Sequence, residues 1–200
     1  MIPLELVAVV PVKSLQRCKS RLSGEFDLET RIQITYDALR HVVHALRASN
    51  VVQHICVISR DAQVREWALA MGVAFLRERS RGLNAALRQA QQCYRASNAL
   101  LIVPADLAAL TPVDVRCLAQ LAASSASPCV VIAPDHHERG TNALLLKPPT
   151  VIPVAFGRNS ARRHAALALA HGAQPLWCRS ESLALDLDRP EDLALYAQQW

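Results

Sequence analysis

The sequence is short of aromatic residues and lacks the local motifs that identify several large enzyme classes. Only 4% of its 200 residues are Phe, Trp or Tyr, so we expect a core built mainly from Ala, Leu and Val. It contains no GxGxxG, no Walker-type GxxxxGK[ST], no GxSxG and no HExxH. These absences remove the usual indications of a dinucleotide site, a P-loop, a serine hydrolase or a zinc peptidase.

The six cysteines are scattered, with no CxxC pair and no ligand-like spacing. This pattern favours reduced thiols, and Cys56 and Cys129, which lie in apolar runs, are expected to be small core residues. No segment approaches the length of a membrane span, and the N-terminus lacks the basic-then-apolar order of a signal peptide. We therefore expect a cytoplasmic protein with no membrane association.

Composition and charge fit a globular protein with a small anionic ligand. Apolar residues make up 52% of the chain and charged residues 20%, and the length suits one domain covering residues 1–200. The formal net charge is +5, but the cations are interrupted and aromatic residues are few, which argues against a nucleic-acid partner. A mild positive charge suits a small anionic substrate at least as well.

Strand-like and helix-like segments alternate along nearly the whole chain. The apolar runs predict strands over 4–10, 54–59, 73–76, 99–107, 129–134, 142–149 and 183–188. Helical spacing and start signals predict helices over 28–49, 62–71, 82–96, from 112, from 159 or 160 to 172, and from 190. This order predicts a three-layer α/β/α sandwich with a mostly parallel sheet, in which ligands bind at the carboxyl ends of the strands.

Four cations follow the first predicted strand: Lys13, Arg17, Lys19 and Arg21. No acidic residue occurs between them and Glu25, and their position is a strand end rather than a helix face. Several donors on one loop suit a polyphosphate. The alternative is a solvated surface loop.

Three carboxylates end predicted strands. Asp106 closes the fourth strand, and Asp186 and Asp188 lie two apart in the last one, where alternate residues share a face. Such acids could share a cation, and Mg²⁺ commonly uses one or two carboxylates with water and substrate phosphates. The alternatives are a turn for Asp106 and a helix cap for Asp188, although Pro190 favours Arg189 as the cap.

Two further segments combine glycine with short polar side chains. Gly140, Thr141 and Asn142 precede or begin a strand, and Gly157 and Ser160 lie at a helix start, where anions bind readily. A turn and a plain cap by Asn159 or Ser160 are the alternatives. Among the histidines, His41 and His44 are expected to flank a helix, and His136 and His137 to be exposed, whereas His164 is of interest for its position after Ser160.

The quoted segments resemble a known family of enzymes. "PVKSLQRCKSRL", "GLNAAL", "ADL", "GTNALLLKPP", "FGRNSARRH" and "LDLDRPEDL" occur in the order found in the guanylyltransferases of coenzyme F-420 biosynthesis. Members of that family act on 2-phospho-L-lactate, phosphoenolpyruvate or 3-phosphoglycerate. The resemblance extends over nearly the whole chain and implies a nucleotidyltransferase fold of the glycosyltransferase-A kind, a magnesium-dependent transfer of GMP from GTP, and release of pyrophosphate.

The resemblance also implies roles for individual residues. The triphosphate would face Lys13, Lys19 and Arg21, and the nucleotide site would include Lys13, Gly82, Asn84 and Asp106. The phosphorylated acid would be bound by Thr141, Asn142, Gly157, Ser160 and His164. Magnesium would be held by Asp106, Asp186 and Asp188. A homodimer is compatible with the resemblance alone.

The chain departs from the family pattern at several positions. Ala108 stands where a Pro usually follows the Asp-Leu pair, Cys18 replaces a more typical Ala, and Arg77, Arg79 and Arg81 precede the "GLN" segment. These arginines bear on the substrate pocket or belong to a solvated loop. The rival functions are a sugar-phosphate or molybdenum-cofactor nucleotidyltransferase, which usually carries a GGxxxR loop that is absent here, and a non-catalytic nucleotide-binding domain.

Overall fold

The computed structural model describes residues 5–184, apart from the side chains of Arg17 and Arg21. The strands are β1 (Leu6–Pro11), β2 (His54–Ser59), β3 (Ala74–Arg77), β4 (Ala99–Ile102), β5 (Cys129–Pro134), β6 (Thr141–Lys147) and β7 (Gln174–Trp177). The α-helices are α1 (Leu28–Ala48), α2 (Ala62–Ala70), α3 (Leu83–Cys93), α4 (Pro112–Ser124), α5 (Ser160–Ala170) and α6 (Glu181–Ala184). Two short 3₁₀ helices, Leu15–Arg17 and Ser20–Leu22, lie between β1 and α1.

The strands form one sheet in the order β3-β2-β1-β4-β6-β5-β7. Strand β1 pairs in parallel with β2 and β4, β2 with β3, and β5 with β7. Strand β6 is antiparallel to both of its neighbours, β4 and β5. The other six strands therefore all run in one direction, which confirms the predicted mostly parallel sheet.

The sheet is buried on both faces because successive strand residues point to opposite sides. In β1, Leu6, Ala8 and Val10 belong to a hydrophobic cluster that includes side chains of α1, α2 and α4. Val7 and Val9 belong to a second cluster, which includes side chains of α3 and α5. Helices thus cover both faces, as the three-layer prediction requires.

Helix starts follow the capping residues that the sequence indicates. Asp61 accepts a hydrogen bond from the Gln63 backbone N–H at 3.0 Å and caps α2. Thr111 caps α4, and its reciprocal hydrogen bonds with Asp114 form a capping box next to Pro112. The connections between strands and helices are therefore fixed locally, and these connections carry the candidate site.

Three expectations about the strands need correction. Strand β4 ends at Ile102 rather than at residue 107, since Pro104 has no N–H with which to continue the ladder. Strand β7, which has only four residues and contains Pro175, was not predicted. Leu183 and Ala184 belong to α6 rather than to a strand, and the remainder of the predicted segment 183–188, like the helix from 190, lies outside the described residues.

Within residues 5–184, no helix has both the length and the hydropathy needed to cross a membrane.

Candidate active site

The segments singled out by the sequence lie together at one edge of the sheet, the edge formed by the carboxyl ends of its parallel strands. The loops that follow β1, β3 and β4 all leave the sheet at this edge because those strands are parallel. Since β6 runs the opposite way, its first residue, Thr141, lies at this edge rather than its last. Helix α5 also begins here, because the Ala161 N–H donates to the carbonyl of Arg139 at 3.1 Å. Ligands bind at this edge in open α/β sheets.

The basic loop after β1 is held in place by Asp61. One carboxylate oxygen of Asp61 accepts hydrogen bonds from the Ser14 hydroxyl at 3.1 Å and from the Leu15 N–H at 2.9 Å. The guanidinium of Arg31 donates to the Cys18 carbonyl at 3.0 Å. The sequence predicted Asp61 as a helix cap, and its second role as an anchor of the basic loop was missed.

The cations of this loop lie beside the carboxyl end of β1. Lys13 is exposed two residues after that strand ends. Lys19 has a left-handed backbone with a φ of 45° and is half-buried. The backbone of Arg21 belongs to the second 3₁₀ helix. The loop thus places Lys13 and Lys19 near the sheet edge, and their contact with a triphosphate stays a prediction.

Asp106 lies in a turn four residues beyond β4. The Ala108 N–H donates to its backbone carbonyl at 2.9 Å, which forms the turn. Its carboxylate makes no hydrogen bond or ion pair within the part of the chain that the structure describes. Asp186 and Asp188 lie outside that part, and among the described residues no group of three His, Cys, Asp or Glu side chains is placed to hold a metal ion. Asp106 is therefore a described carboxylate that is open to a ligand at this edge.

The side chain of Asn84, in the first turn of α3, is fully engaged with the backbone. Its Nδ2 donates to the carbonyl of Phe156 at 2.9 Å, and its Oδ1 accepts from the Phe156 N–H at 2.8 Å. Gly82, at the start of α3, has a φ of 104°, a conformation that favours glycine. A nucleoside near these residues remains a prediction, and the Asn84 amide itself joins α3 to the loop before α5.

A cavity of about 470 Å³ lies between the β5–β6 turn and the start of α5. Its lining residues are Asp135, Arg139, Gly140, Gly157, Arg158 and Asn159. Arg139 and Arg158 are both exposed, so the two walls of the cavity carry one cation each. Sequence reasoning missed both arginines, although each adjoins a glycine that was singled out. The Asp135 carboxylate offsets one of these charges, so the lining carries two positive charges and one negative charge, and this net positive charge beside a helix N-terminus suits a small anion.

Glycine is needed at two positions in the cavity wall. A Cβ on Gly140 would lie 2.6 Å from Oδ2 of Asp135, so any larger residue would displace that carboxylate. Gly157 has a φ of 126°, which side-chain-bearing residues rarely adopt. The turn that follows also includes Asn159 at a φ of 55°, and the Asn159 side chain makes no capping hydrogen bond. The helix therefore begins where the sequence predicts, and the alternative of a side-chain cap by Asn159 is not found.

Ser160 is the first residue of α5 and is 1% exposed. Its hydroxyl makes no hydrogen bond with another described residue. The residue directly follows Asn159, which lines the cavity. Contact between this hydroxyl and a ligand stays a prediction.

Thr141, His164 and Asn142 lie behind the cavity wall and are buried. The Thr141 Oγ1 and the His164 Nδ1 are 3.1 Å apart, and the His164 Nε2 accepts from the Ala155 N–H at 3.0 Å. The Asn142 Nδ2 donates to the carbonyl of Leu183 at 2.9 Å. Thr141 retains hydrogen-bonding capacity for a ligand, whereas Asn142 supports the segment that leads towards residue 186.

Asp114 supports the same segment from α4. Its carboxylate accepts hydrogen bonds from the hydroxyls of Ser180 at 2.6 Å, Thr111 at 2.6 Å and Ser182 at 2.7 Å. Burial opposes its ionisation, but these hydrogen bonds together with the Thr111 N–H hold the pKa below its ordinary value. An ionised Asp114 thereby ties the chain after β7 to the start of α4.

The remaining expectations concern side chains away from the cavity. His136 and His137 are exposed, as predicted, and His41 contacts the carbonyl of Leu110 at 2.7 Å from the flank of α1. Cys56 and Cys129 are buried in the core, and all six cysteines are free thiols, as predicted.

The loop with the extra arginines is braced by the protein itself. The guanidinium of Arg60 donates to the Glu78 carboxylate and to the Ser80 carbonyl. The Gln89 side chain, on α3, bonds the Arg77 carbonyl at 2.8 Å and the Arg79 N–H at 2.9 Å. The loop after β3 therefore has a defined backbone, with Arg79 and Arg81 exposed.

Comparisons with known proteins agree on one family and one fold. The model of a family described as "Guanylyl transferase CofC like" matches residues 6–196. Among curated proteins, the phosphoenolpyruvate guanylyltransferase of Rubrobacter xylanophilus is 42% identical over 193 residues, which cover 96% of this chain and 93% of that protein. The phosphoenolpyruvate guanylyltransferase of Sphaerobacter thermophilus is 37% identical over 189 residues, which cover 94% of this chain and 90% of that protein.

Solved structures of low sequence identity share the fold. A putative nucleotide-diphospho-sugar transferase from Desulfovibrio desulfuricans G20 superposes with a TM-score of 0.75 at 14% identity, covering 98% of this chain and 87% of that one. A CMP:2-keto-3-deoxy-manno-octonic acid synthetase superposes with a TM-score of 0.65 at 14% identity, covering 98% and 100%. The predicted nucleotidyltransferase fold is thereby confirmed.

Proposed function

The chain belongs to the family of CofC-like guanylyl transferases and is a nucleotidyltransferase, and from that premise we propose the reaction it catalyses. It transfers GMP from GTP onto the phosphate of a small phosphorylated three-carbon acid and releases pyrophosphate, as a step of coenzyme F-420 biosynthesis. We expect phosphoenolpyruvate as the acid, because relatives at 42% and 37% identity are named phosphoenolpyruvate guanylyltransferases. The alternatives are 2-phospho-L-lactate and 3-phospho-D-glycerate.

The observation that carries this proposal is the cavity at the start of α5. It is lined by Arg139 and Arg158, and the lining residue Asn159 is followed by Ser160, whose hydroxyl has no partner among the described residues. A phosphorylated carboxylic acid carries two anionic groups, which two guanidinium groups would complement. A cavity of about 470 Å³ suits a ligand of this size.

The nucleotide would approach from the other side of the same sheet edge. Lys13, Lys19 and Arg21 belong to the loop after β1, which is anchored by Asp61 so that its backbone has a fixed position. Their positive charge would stabilise the triphosphate and the departing pyrophosphate. Gly82, at the start of α3, would allow the backbone to approach the nucleoside closely.

The residues present fit a magnesium ion. Asp106 offers carboxylate oxygens, the ligands that Mg²⁺ prefers, and these oxygens have no partner among the described residues. Asp186 and Asp188, outside the described residues, would add two more carboxylates. When bound, Mg²⁺ would withdraw charge from the phosphate oxygens of GTP.

The proposed reaction needs no covalent intermediate with the protein. An oxygen of the acid's phosphate attacks the α-phosphorus of GTP, a new P–O bond forms, and the bond to the bridging oxygen of the β-phosphate breaks. The attacking phosphate is already ionised at neutral pH, so no general base is required. The protein's task is to hold the two anions in line and to neutralise their charge.

The proposal is tested by pyrophosphate release from the purified protein with magnesium. GTP and ATP are each combined with phosphoenolpyruvate, 2-phospho-L-lactate and 3-phospho-D-glycerate. We expect release with GTP and phosphoenolpyruvate, and loss of that release when EDTA is added. Release with another of the three acids would correct the substrate, and a protein that binds GTP but releases nothing with any of them would overturn the proposal.

A matched pair of variants links the activity to the cavity. Ser160→Ala removes the hydroxyl at the start of α5 that has no partner among the described residues, whereas Ser124→Ala removes an exposed hydroxyl at the end of α4 that bonds only the Leu121 carbonyl. We expect Ser160→Ala to raise the KM for the acid about tenfold and Ser124→Ala to leave it unchanged. If the two variants have the same KM for the acid, the acid does not bind beside Ser160.

A further inference from the structure

His164 is a histidine that is completely buried, although its side chain is polar and can ionise. The residue is 0% exposed in the second turn of α5, and both ring nitrogens have hydrogen-bond partners. Nδ1 faces the Thr141 hydroxyl at 3.1 Å, and Nε2 faces the backbone nitrogen of Ala155 at 3.0 Å. The edge of the ring packs against Phe156, with centroids 5.0 Å apart. The ring is therefore fixed in orientation as well as in position.

The partner at Nε2 determines which nitrogen carries the hydrogen. The Ala155 backbone nitrogen is a donor, so Nε2 must accept and cannot be protonated. In a neutral imidazole the hydrogen then lies on Nδ1, which donates to the Thr141 oxygen. In a doubly protonated ring the Nε2–H would face the Ala155 N–H, and two donors in contact repel each other.

The neutral state is supported independently by the surroundings of the ring. Burial lowers the pKa of His164 to about 4, and the neighbouring charge of Arg163 acts in the same direction. The ring is thus uncharged over the whole range near neutral pH, and its direction of donation does not change there.

This arrangement fixes the direction in which the Thr141 hydroxyl donates its hydrogen bond. Because its oxygen accepts from Nδ1, its own hydrogen is left to be donated elsewhere. Thr141 directly follows Gly140, which lines the cavity, and it is 7% exposed. A hydroxyl held in this way presents its hydrogen as a donor, and one of its two lone pairs is already used.

We propose that His164 is a positioning residue, which fixes the Thr141 hydroxyl as a hydrogen-bond donor to an anionic oxygen of the phosphorylated acid. This inference rests on the proposed function, since it concerns the same acid site. His164 itself does not touch the acid: the Thr141 hydroxyl lies between the two. The site would favour an ionised phosphate or carboxylate over a neutral acceptor, because a hydrogen bond to an ionised oxygen is stronger.

Two substitutions separate the two sides of the ring. His164→Asn retains an amide N–H near the place of Nδ1 and loses the partner of Ala155. His164→Gln retains an acceptor near the place of Nε2 and loses the donor to Thr141. We expect His164→Gln to raise the KM for phosphoenolpyruvate about ten- to a hundredfold, with the KM for GTP nearly unchanged, and His164→Asn to raise it much less.

The coupling between His164 and Thr141 gives a second readout. Thr141→Val should raise the KM for the acid, and adding His164→Gln to it should cost little more, because the hydroxyl on which His164 acts is already absent. Thr141→Ser should restore most of the affinity. Additive effects, or a larger effect of His164→Asn than of His164→Gln, would overturn the proposal in favour of a packing role or an action through Ala155.

A measurement on the unaltered protein keeps the inference testable if these variants fail to fold. Nitrogen-15 NMR of the histidine rings distinguishes a protonated Nδ1 from a protonated Nε2. We expect His164 to carry its hydrogen on Nδ1 from about pH 6 upwards, since its pKa is about 4. A hydrogen on Nε2 would overturn the inference even if pyrophosphate release confirms the acid site, and a hydrogen on Nδ1 in a protein inactive with every acid would implicate the proposed function instead.

Discussion

The amide of Asn84 pairs with both backbone polar groups of Phe156, through hydrogen bonds of 2.9 Å and 2.8 Å. Asn84 belongs to the "GLN" segment, for which the resemblance implies a nucleoside, whereas Phe156 immediately precedes Gly157 in the wall of the cavity that we propose for the acid. One side chain thus joins the predicted nucleotide side of the site to the acid side. Its effect on each substrate can be measured separately.

Asn84→Ala should weaken binding of the acid more than binding of GTP. The substitution removes both bonds to Phe156 and so loosens the loop that leads into the cavity, which we expect to raise the acid KM about tenfold. Gln89→Ala is the matched control, because Gln89 also makes two backbone bonds from α3, but to the loop after β3. A larger rise in the GTP KM for Asn84→Ala would instead support a direct contact with the nucleoside.

Asp106→Asn should abolish most of the turnover while leaving the fold intact. The carboxylate makes no bond within residues 5–184, so its loss removes no described contact, but it removes the proposed ligand of Mg²⁺. We expect the rate of pyrophosphate release to fall about a hundredfold or more, and the remaining activity to need more magnesium. Asp37→Asn, in an exposed pair with Arg40 on α1, should behave like the unaltered protein. Equal rates for the two variants would remove Asp106 from the site.

Lys13→Ala should raise the requirement for GTP. Lys13 is exposed at the carboxyl end of β1, where it would meet the triphosphate, and we expect the GTP KM to rise about tenfold or more. Arg95→Ala removes an exposed cation beyond the end of α3, at the opposite edge of the sheet, and should have no effect. If added salt weakens GTP binding equally in both variants, the basic loop does not contact the nucleotide.

His164 should make the stability of the protein depend on pH. Burial lowers its pKa from 6.5 to about 4, so between these values the unfolded chain binds a proton that the folded protein does not. The free energy of unfolding should therefore be highest above pH 6.5 and fall as the pH decreases to about 4, by on the order of 3 kcal/mol. Urea unfolding at several pH values should show this loss in the unaltered protein and a smaller one in His164→Asn. Parallel curves would contradict the assignment.

Much of the fold was predictable because its signals are local. The strand 54–59 and the helix from Leu28 appear where apolar periodicity places them, and Asp61 and Thr111 cap the helices that they precede. Strand β7 was missed because four residues containing a proline give no periodic pattern. Its strand character arises from pairing with β5, which is a long-range contact.

The sequence predicted which types of residue lie near the candidate site, but it did not predict the hydrogen-bond partner of each side chain. The motif around Gly157 and Ser160 does border a cavity, yet Arg139 and Arg158, which line it, carry no periodic or capping signal. Asn84 is a residue type that often contacts ligands, but its hydrogen-bond partner here is Phe156, which lies 72 residues away in the sequence. Such tertiary hydrogen bonds depend on the packed sheet edge and leave no trace in local sequence.

The two outermost described strands of the sheet have a bearing on solubility. Strands β3 and β7 are four residues long, and β7 contains Pro175, which has no N–H to offer. An additional strand from another molecule would find few main-chain groups with which to pair at either border. The described part of the sheet is therefore poorly suited to edge-to-edge aggregation, even though its central strands are mainly apolar.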